Sequence, residues 1–156
     1  MAHLEKKNRK RSDYKYQLEY RTRWSDNDMY HHMNNTVYGQ LFDAIINDYL
    51  IKYCGRRPVN PQTQENGIVV TSYCDFFGSV SYPDVIDACL RVNKLGKTSV
   101  TYEVGIFQQG FDDVRAVGGF THVFCDQKTG RPMPQGMSKD IREGLEKLLV
   151  PSAAKL

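Results

Sequence analysis

Trp24-Ser25-Asp26-Asn27-Asp28-Met29-Tyr30-His31-His32-Met33-Asn34-Asn35 is the stretch on which the reading of this chain turns. It is dense in Ser, Asp and Asn, whose short polar side chains hydrogen-bond to nearby backbone and favour turns and helix caps. It therefore reads as a loop that opens a helix. Upstream, Tyr14, Tyr16, Leu18, Tyr20 and Trp24 alternate with Lys15, Gln17, Glu19, Arg21 and Arg23. That period of two predicts a half-buried strand from Tyr14 to Trp24. Downstream, the spacing predicts a helix from about Thr36 to Tyr53. Tyr38, Phe42, Ile45, Ile46 and Tyr49 share one broad face, with Val37, Leu41 and Ala44 beside it. Only Gln40, Asp43 and Asn47 form a narrow polar stripe, so this helix is expected to be mostly buried.

Gly55 is a plausible stop for the helix, and Pro58 and Pro61 punctuate the linker that follows. Runs of β-branched and aromatic residues then predict strands at Ile68 to Phe77, Val85 to Val92, Ser99 to Gln108 and Val114 to Cys125. Turn signals separate them at Gly78, Pro83, Lys94-Leu95-Gly96-Lys97 and Gly110-Phe111-Asp112-Asp113, so the last three strands are expected to be antiparallel neighbours. A short helix from Ser138, its expected N-cap, carries Ile141, Leu145, Leu148 and Leu149 on one side. One strand, one long buried helix and four strands make an α+β fold in which a curved antiparallel sheet wraps around the helix. Free sheet edges invite pairing with a second copy, so a homodimer or homotetramer is expected.

The chain has 156 residues and is 40% hydrophobic, enough for one domain with a substantial core. Residues 13–150 are taken as that domain and residues 151–156 as a C-terminal tail. Lys6, Lys7, Arg9, Lys10 and Arg11 concentrate basic charge at the start, and residues 1–12 are expected to be a disordered solubilising tail. Beyond it, charges of both signs are interspersed without the aromatic-basic pattern of an RNA-binding sheet, which argues against a nucleic-acid partner. No apolar run approaches the length of a membrane span, and the N-terminal residues lack the apolar core of a signal peptide. Cys54, Cys74, Cys89 and Cys125 are too scattered for a zinc site or a disulfide framework and read as reduced thiols of an intracellular protein. The four histidines do not cluster with cysteines or carboxylates at ligand spacing, so no metal or other cofactor is expected. His122, between Phe120 and Phe124, reads as a satisfied sheet histidine. No Gly-x-Ser-x-Gly elbow is present, which argues against serine-dependent ester hydrolysis.

A strand, then Trp24-Ser25-Asp26-Asn27-Asp28, His32-Met33-Asn34-Asn35 and Tyr38, resembles the hotdog-fold thioesterases of the 4-hydroxybenzoyl-CoA thioesterase type. The resemblance runs from about Tyr14 to Cys125, and Leu95-Gly96-Lys97-Thr98-Ser99 is similar to the turn those enzymes place near bound coenzyme. It implies hydrolysis of an acyl-CoA thioester to free acid and CoA. The second Asp of Asp-x-Asp, here Asp28, would be the catalytic carboxylate, as general base or as nucleophile. The thioester carbonyl oxygen would sit against a backbone N–H near Asn35, where unpaired donors and the helix dipole stabilise negative charge. His32 would orient Asp28 or the water, as its counterpart does in the plant acyl-carrier-protein thioesterases, although those carry Asn where this chain has Tyr30. Asp43 and Glu65 are candidates for a second acid.

The phosphates of CoA need cations, and Lys94, Lys97 and Arg131, at expected strand ends, are the candidates. Read without the resemblance, Asp26 caps or turns the loop, Asp28 either caps the loop or catalyses, and Asn34 and Asn35 are helix N-caps. The alternative function is a non-catalytic acyl-CoA-binding hotdog protein. Ala154-Lys155-Leu156 resembles the Ser-Lys-Leu peroxisomal address, which sets a peroxisomal against a cytoplasmic location.

Overall fold

Apolar spacing along residues 35–53 decides what the rest of the chain is built around. The computed structural model describes residues 2–56 and 64–151; Pro58, Pro61 and the Ala154-Lys155-Leu156 terminus lie outside them. In chain order the elements are α1 (Ala2–Lys7), β1 (Tyr16–Arg21), α2 (Asn35–Tyr53), β2 (Glu65–Phe76), β3 (Val85–Leu95), β4 (Ser99–Gln108), β5 (Val114–Asp126) and α3 (Lys139–Glu146). Val37, Tyr38, Leu41, Phe42, Ile45, Ile46, Tyr49 and Leu50 are buried on α2. They pack on one face of a five-stranded antiparallel sheet ordered β1-β3-β4-β5-β2. This is the expected hotdog arrangement, an α+β fold with a curved sheet around a long helix. At about 1.5 Å per residue α2 is roughly 28 Å long, enough to cross most of the sheet.

Alternation sets the sheet's two faces. Ile86, Ala88, Leu90 and Val92 on β3 and Val100, Tyr102, Val104 and Ile106 on β4 face α2, and Cys89 and Phe107 face the other way with Val117. The three C-terminal strands are neighbours as their turns predict. Strand β2, however, crosses over to pair with β5 at the far edge, from Glu65 opposite Asp126 to Phe76 opposite Ala116. Gly118 leaves room for the helix against the sheet: a Cβ there would stand 2.4 Å from the Tyr73 carbonyl oxygen and 2.5 Å from the Phe42 ring.

Three expectations are corrected. The basic tail is ordered from residue 2: α1 and the segment after it cross the convex back of the sheet as a strap. Lys6 Nζ lies 2.7 Å from Asp75 on β2 and over the Tyr73 ring. Arg9 donates to both Glu103 oxygens on β4 at 2.8 and 3.1 Å, and Arg11 to Asp87 on β3 at 3.1 Å. The carboxylates were the missing half of the pattern, spaced too far along the chain to be matched to the tail by eye. Second, Tyr14 leaves the alternation of β1 and packs under the strap, its hydroxyl donating to Glu103 at 2.9 Å, while Trp24 is 79% exposed. Trp24 instead starts a 3-10 turn and meets Tyr82 edge-on. Third, α3 ends at Glu146, and Leu149 bridges to Val92 of β3.

Glu103 is only 1% exposed. Burial alone would raise its carboxyl, but the Arg9 hydrogen bonds, the Arg91 charge and the Asn93 amide outweigh it and hold the group below its ordinary value. A depressed carboxyl adds stability above its unfolded pKa of 4.5 and loses it as pH falls through the lower native value. Urea titrations of wild type and Glu103→Gln across pH 3 to 7 are therefore expected to show a gap that is widest near neutrality and closes in acid. Gly118→Ala should lower the urea midpoint by the equivalent of about 1–3 kcal/mol, with an unchanged slope.

Candidate active site

The loop between β1 and α2 is held by Asp26. Its carboxylate accepts from the Arg23 amide at 2.7 Å, the Arg23 guanidinium at 2.9 Å and the Tyr20 hydroxyl at 3.0 Å. Its carbonyl accepts from the Asn34 amide at 2.8 Å. Burial would raise the Asp26 carboxyl, and the Arg23 and Tyr20 hydrogen bonds override it and hold the group below the usual carboxylate range. Asp26 is thus the capping residue, clamping the loop's entry to its exit. Further pins fix the middle: the Met33 amide donates to the Val80 carbonyl at 2.8 Å, the Ser81 hydroxyl to the His31 carbonyl at 2.6 Å, and the Tyr82 amide to the Asn27 side chain at 3.0 Å.

Within that frame the backbone doubles back. The Asp28 amide donates to the His32 carbonyl at 2.8 Å, and His31 sits at φ 61° to close the turn. Asp28 Oδ1 accepts from the Tyr30 amide at 2.8 Å and more distantly from the His32 amide at 3.4 Å. Asp28 Oδ2 accepts nothing among the described residues, and Asp28 lines a pocket of about 420 Å³. One oxygen is anchored while the other is free.

Facing it is the start of α2. Asn34 is the N-cap, its side chain accepting from the Thr36 amide at 3.0 Å and the Thr36 hydroxyl at 2.8 Å. The Asn35 amide has no acceptor among the described residues, and Asn35 lines the same pocket with His32, Tyr38, Phe76 and Gly78. An amide without an acceptor at the positive end of a helix dipole is suited to an oxygen gaining negative charge. The His32 ring is exposed and makes no hydrogen bond among the described residues, so His32 bonds to Asp28 only through its backbone amide and carbonyl. Burial pushes the Tyr38 phenol up to about 12, so this pocket wall stays neutral.

The other candidates lie elsewhere in the chain. Asp43 is exposed on α2, bonded to the Asn47 side chain at 2.9 Å, eight residues and roughly 12 Å of helix from Asn35. Glu65 is buried, its oxygens accepting the Ser138 amide at 3.2 and 3.3 Å at the start of α3. Lys94 and Lys97 lie at the β3–β4 turn and Arg131 beyond β5. That is the Glu65 end of the sheet, whereas Phe76 pairs with Ala116 at the Asp28 end. One chain therefore brings together Asp28, His32 and Asn35 but not the second acids or the cations. Phe76 and Gly78 were not legible as site residues, because only the β2 crossover carries them to the loop. Tyr38, read from the sequence as part of the helix's buried face, also reaches the pocket wall, one helical turn past Asn35. Among the described residues no three His, Cys, Asp or Glu side chains cluster to hold a metal ion.

With this geometry in place, comparison with known proteins is informative. The Thioesterase superfamily matches residues 30–114, beginning just past Asp28. Among solved structures, the chain is similar to the PA5185 protein of Pseudomonas aeruginosa strain PAO1, at 36% identity and a TM-score of 0.86, over 92% of this chain and 98% of that one. It shares its fold with a thioesterase superfamily protein of Jannaschia sp. CCS1, at 18% identity and a TM-score of 0.76, over 89% and 87% of the two chains. The same holds for the DHNA-CoA thioesterase of Staphylococcus aureus, at 17% identity and a TM-score of 0.68, over 75% and 78%. No match was found among curated proteins. On the extent of the family match and the likeness to the Pseudomonas protein, this chain belongs to the thioesterase superfamily.

Proposed function

We propose that the protein hydrolyses an acyl-CoA thioester to a free acid and CoA, with Asp28 as its catalytic carboxylate. The observation that carries this reading is the placement of the free Asp28 oxygen and the unused Asn35 amide on one pocket. A thioester carbonyl seated with its oxygen at the Asn35 N–H exposes its carbon to attack. Acting as general base, Asp28 takes a proton from water as the new C–O bond forms, and the oxyanion is held at the helix start. Collapse breaks the C–S bond and releases CoA thiolate, which takes up a proton. Acting as nucleophile, Asp28 would form a mixed anhydride that water then opens. The anchored Oδ1 holds the carboxylate in register for either route.

The proposed working form is a homodimer joined along β2, or a tetramer built from that dimer. Strand β2 is a sheet edge, and Ile68, Val69 and Val70 on it are large apolar residues open to solvent. Two identical edges related by a two-fold axis pair antiparallel. The Glu65 end of one chain would then lie beside the Phe76 end of the other. Asp43, Lys94, Lys97 and Arg131 of the partner subunit would approach the pocket that they cannot reach within their own chain, placing cations near the CoA phosphates.

Asp28→Asn is expected to cut kcat for release of free thiol from acyl-CoA esters by about 10²–10⁴-fold while leaving the melting temperature and acyl-CoA binding near wild type. Asp26→Asn should behave differently, losing roughly 2 kcal/mol of stability together with activity, because it loosens the loop. Wild-type protein that binds acyl-CoA but releases no thiol from any ester would replace the hydrolase with a binding protein.

A further inference from the structure

On the helix side of the sheet the expectation of a satisfied sheet histidine is not met: His122 is buried, and its Nδ1 has no hydrogen-bond partner among the described residues. The hydroxyl of buried Tyr102, whose ring meets the imidazole edge-on at 5.2 Å, is likewise unpartnered. Burial pushes the imidazole down to about 4, so the ring is neutral and the cost is that of an unpaired dipole. An unbalanced buried charge costs more, and one stands on the opposite face of the sheet, beneath the N-terminal strap.

Glu103 of β4 is the buried carboxylate there, and its acceptor capacity is used up. Its oxygens accept from Arg9 Nε and Nη2 at 2.8 and 3.1 Å, from the Tyr14 hydroxyl at 2.9 Å and from the Asn93 side-chain amide at 3.1 Å. Arg91 of β3, opposite Glu103 in the register, is left without a carboxylate of its own. Its side chain is only 14% exposed. Nε lies 3.5 Å from Glu103 but donates to the Asn93 side-chain oxygen at 2.7 Å, and Nη1 reaches the Asp13 carbonyl at 3.4 Å. The Asp13 carboxylate is taken up by the Lys10 amide at 2.8 Å. Two guanidiniums therefore share one carboxylate in a mostly buried cluster, which carries an excess positive charge.

The cluster opens on a cavity of about 660 Å³, larger than the one at Asp28, between the strap, β3 and the chain that follows α3. Asn8, Arg9, Arg91 and Asn93 line it, with Val150 and Pro151 as an apolar wall. Arg9 Nη1, Arg91 Nη2 and the Asn8 side-chain amide have no acceptor among the described residues. Donors converging from separate segments suit the several oxygens of a tetrahedral anion better than a single flat carboxylate. Glu5 is the opposing charge at this cavity, and it is exposed, where water and salt screen it.

We propose that this cavity binds a phosphate group, as the free ion or on a small ester, seated against Arg9, Arg91 and Asn8. The ligand balances the second guanidinium. Because Asn8 and Arg9 belong to the strap and Arg91 to β3, it also fastens the N-terminal segment to the back of the sheet. The site stands apart from the Asp28 pocket and draws on neither the hydrolase reading nor a second subunit.

Calorimetry of the full chain with inorganic phosphate, AMP and adenosine tests it. At least one of the two phosphates should bind with a Kd below about 1 mM while adenosine does not, and at ten times its Kd it should raise Tm by about 3 °C or more. Tighter binding of AMP identifies an ester as the ligand, and equal or tighter binding of inorganic phosphate identifies the free ion; either supports the site. Amide exchange across residues 2–12 should slow when the ligand is present. Asn8→Asp, which sets a carboxylate among the donors, should weaken binding by about tenfold or more. Glu5→Gln, which removes the opposing charge, should tighten it by about two- to fivefold. Both positions are exposed, so Tm without ligand should stay near wild type. No saturable binding of either phosphate by about 10 mM, or binding that neither variant alters, would overturn the proposal.

Discussion

The Asp26 carboxylate is the contact on which the site depends. It gathers the end of β1 through Tyr20, the turn through Arg23 and, by its own carbonyl, the cap of α2. Remove those bonds and the loop has no reason to double back at His31, and Asp28 has no fixed position relative to the first amide of the helix. A buried charge with every oxygen occupied thus sets the position of a neighbouring one that is open to the pocket.

That relation explains why an Asp-x-Asp pair is informative. The two aspartates are two residues apart yet have opposite environments: Asp26 is buried with its oxygens occupied, whereas Asp28 is half-exposed with one oxygen open. One carboxylate is spent on structure, and the other remains available to the pocket. Asn34 and Asn35 divide labour in the same way, since Asn34 satisfies the Thr36 amide and leaves that of Asn35 unclaimed.

How much of this could be read from the sequence follows from the range of the interactions. Strand β4 and the span of α2 were legible almost to the residue, because alternation and helical spacing are local. The capping of α2 and the role of Asp26 were legible for the same reason. The place of β2 at the far edge was not, since the identity of a strand's neighbour is absent from its own pattern, and with it went Phe76 and Gly78 of the pocket. The strap was missed because half of each ion pair lies elsewhere, Arg9 and Glu103 being 94 positions apart. Tyr14 was misplaced on the sheet because an unbroken alternation concealed that the chain changes faces before β1 starts.

The separation of Arg9 from Glu103 has a consequence for how the molecule comes together. A chain made from its N-terminus holds its basic segment long before β4 exists, so the strap can settle only after most of the sheet has paired. Until then the back of the sheet presents Asp75, Asp87 and Glu103 to water. Arg91, opposite Glu103 on β3, offsets part of that charge, so Asp75 and Asp87 are the carboxylates that disfavour stacking against a second copy before the strap brings Lys6 and Arg11. When the strap docks, it covers that face and leaves the β2 edge of the sheet uncovered.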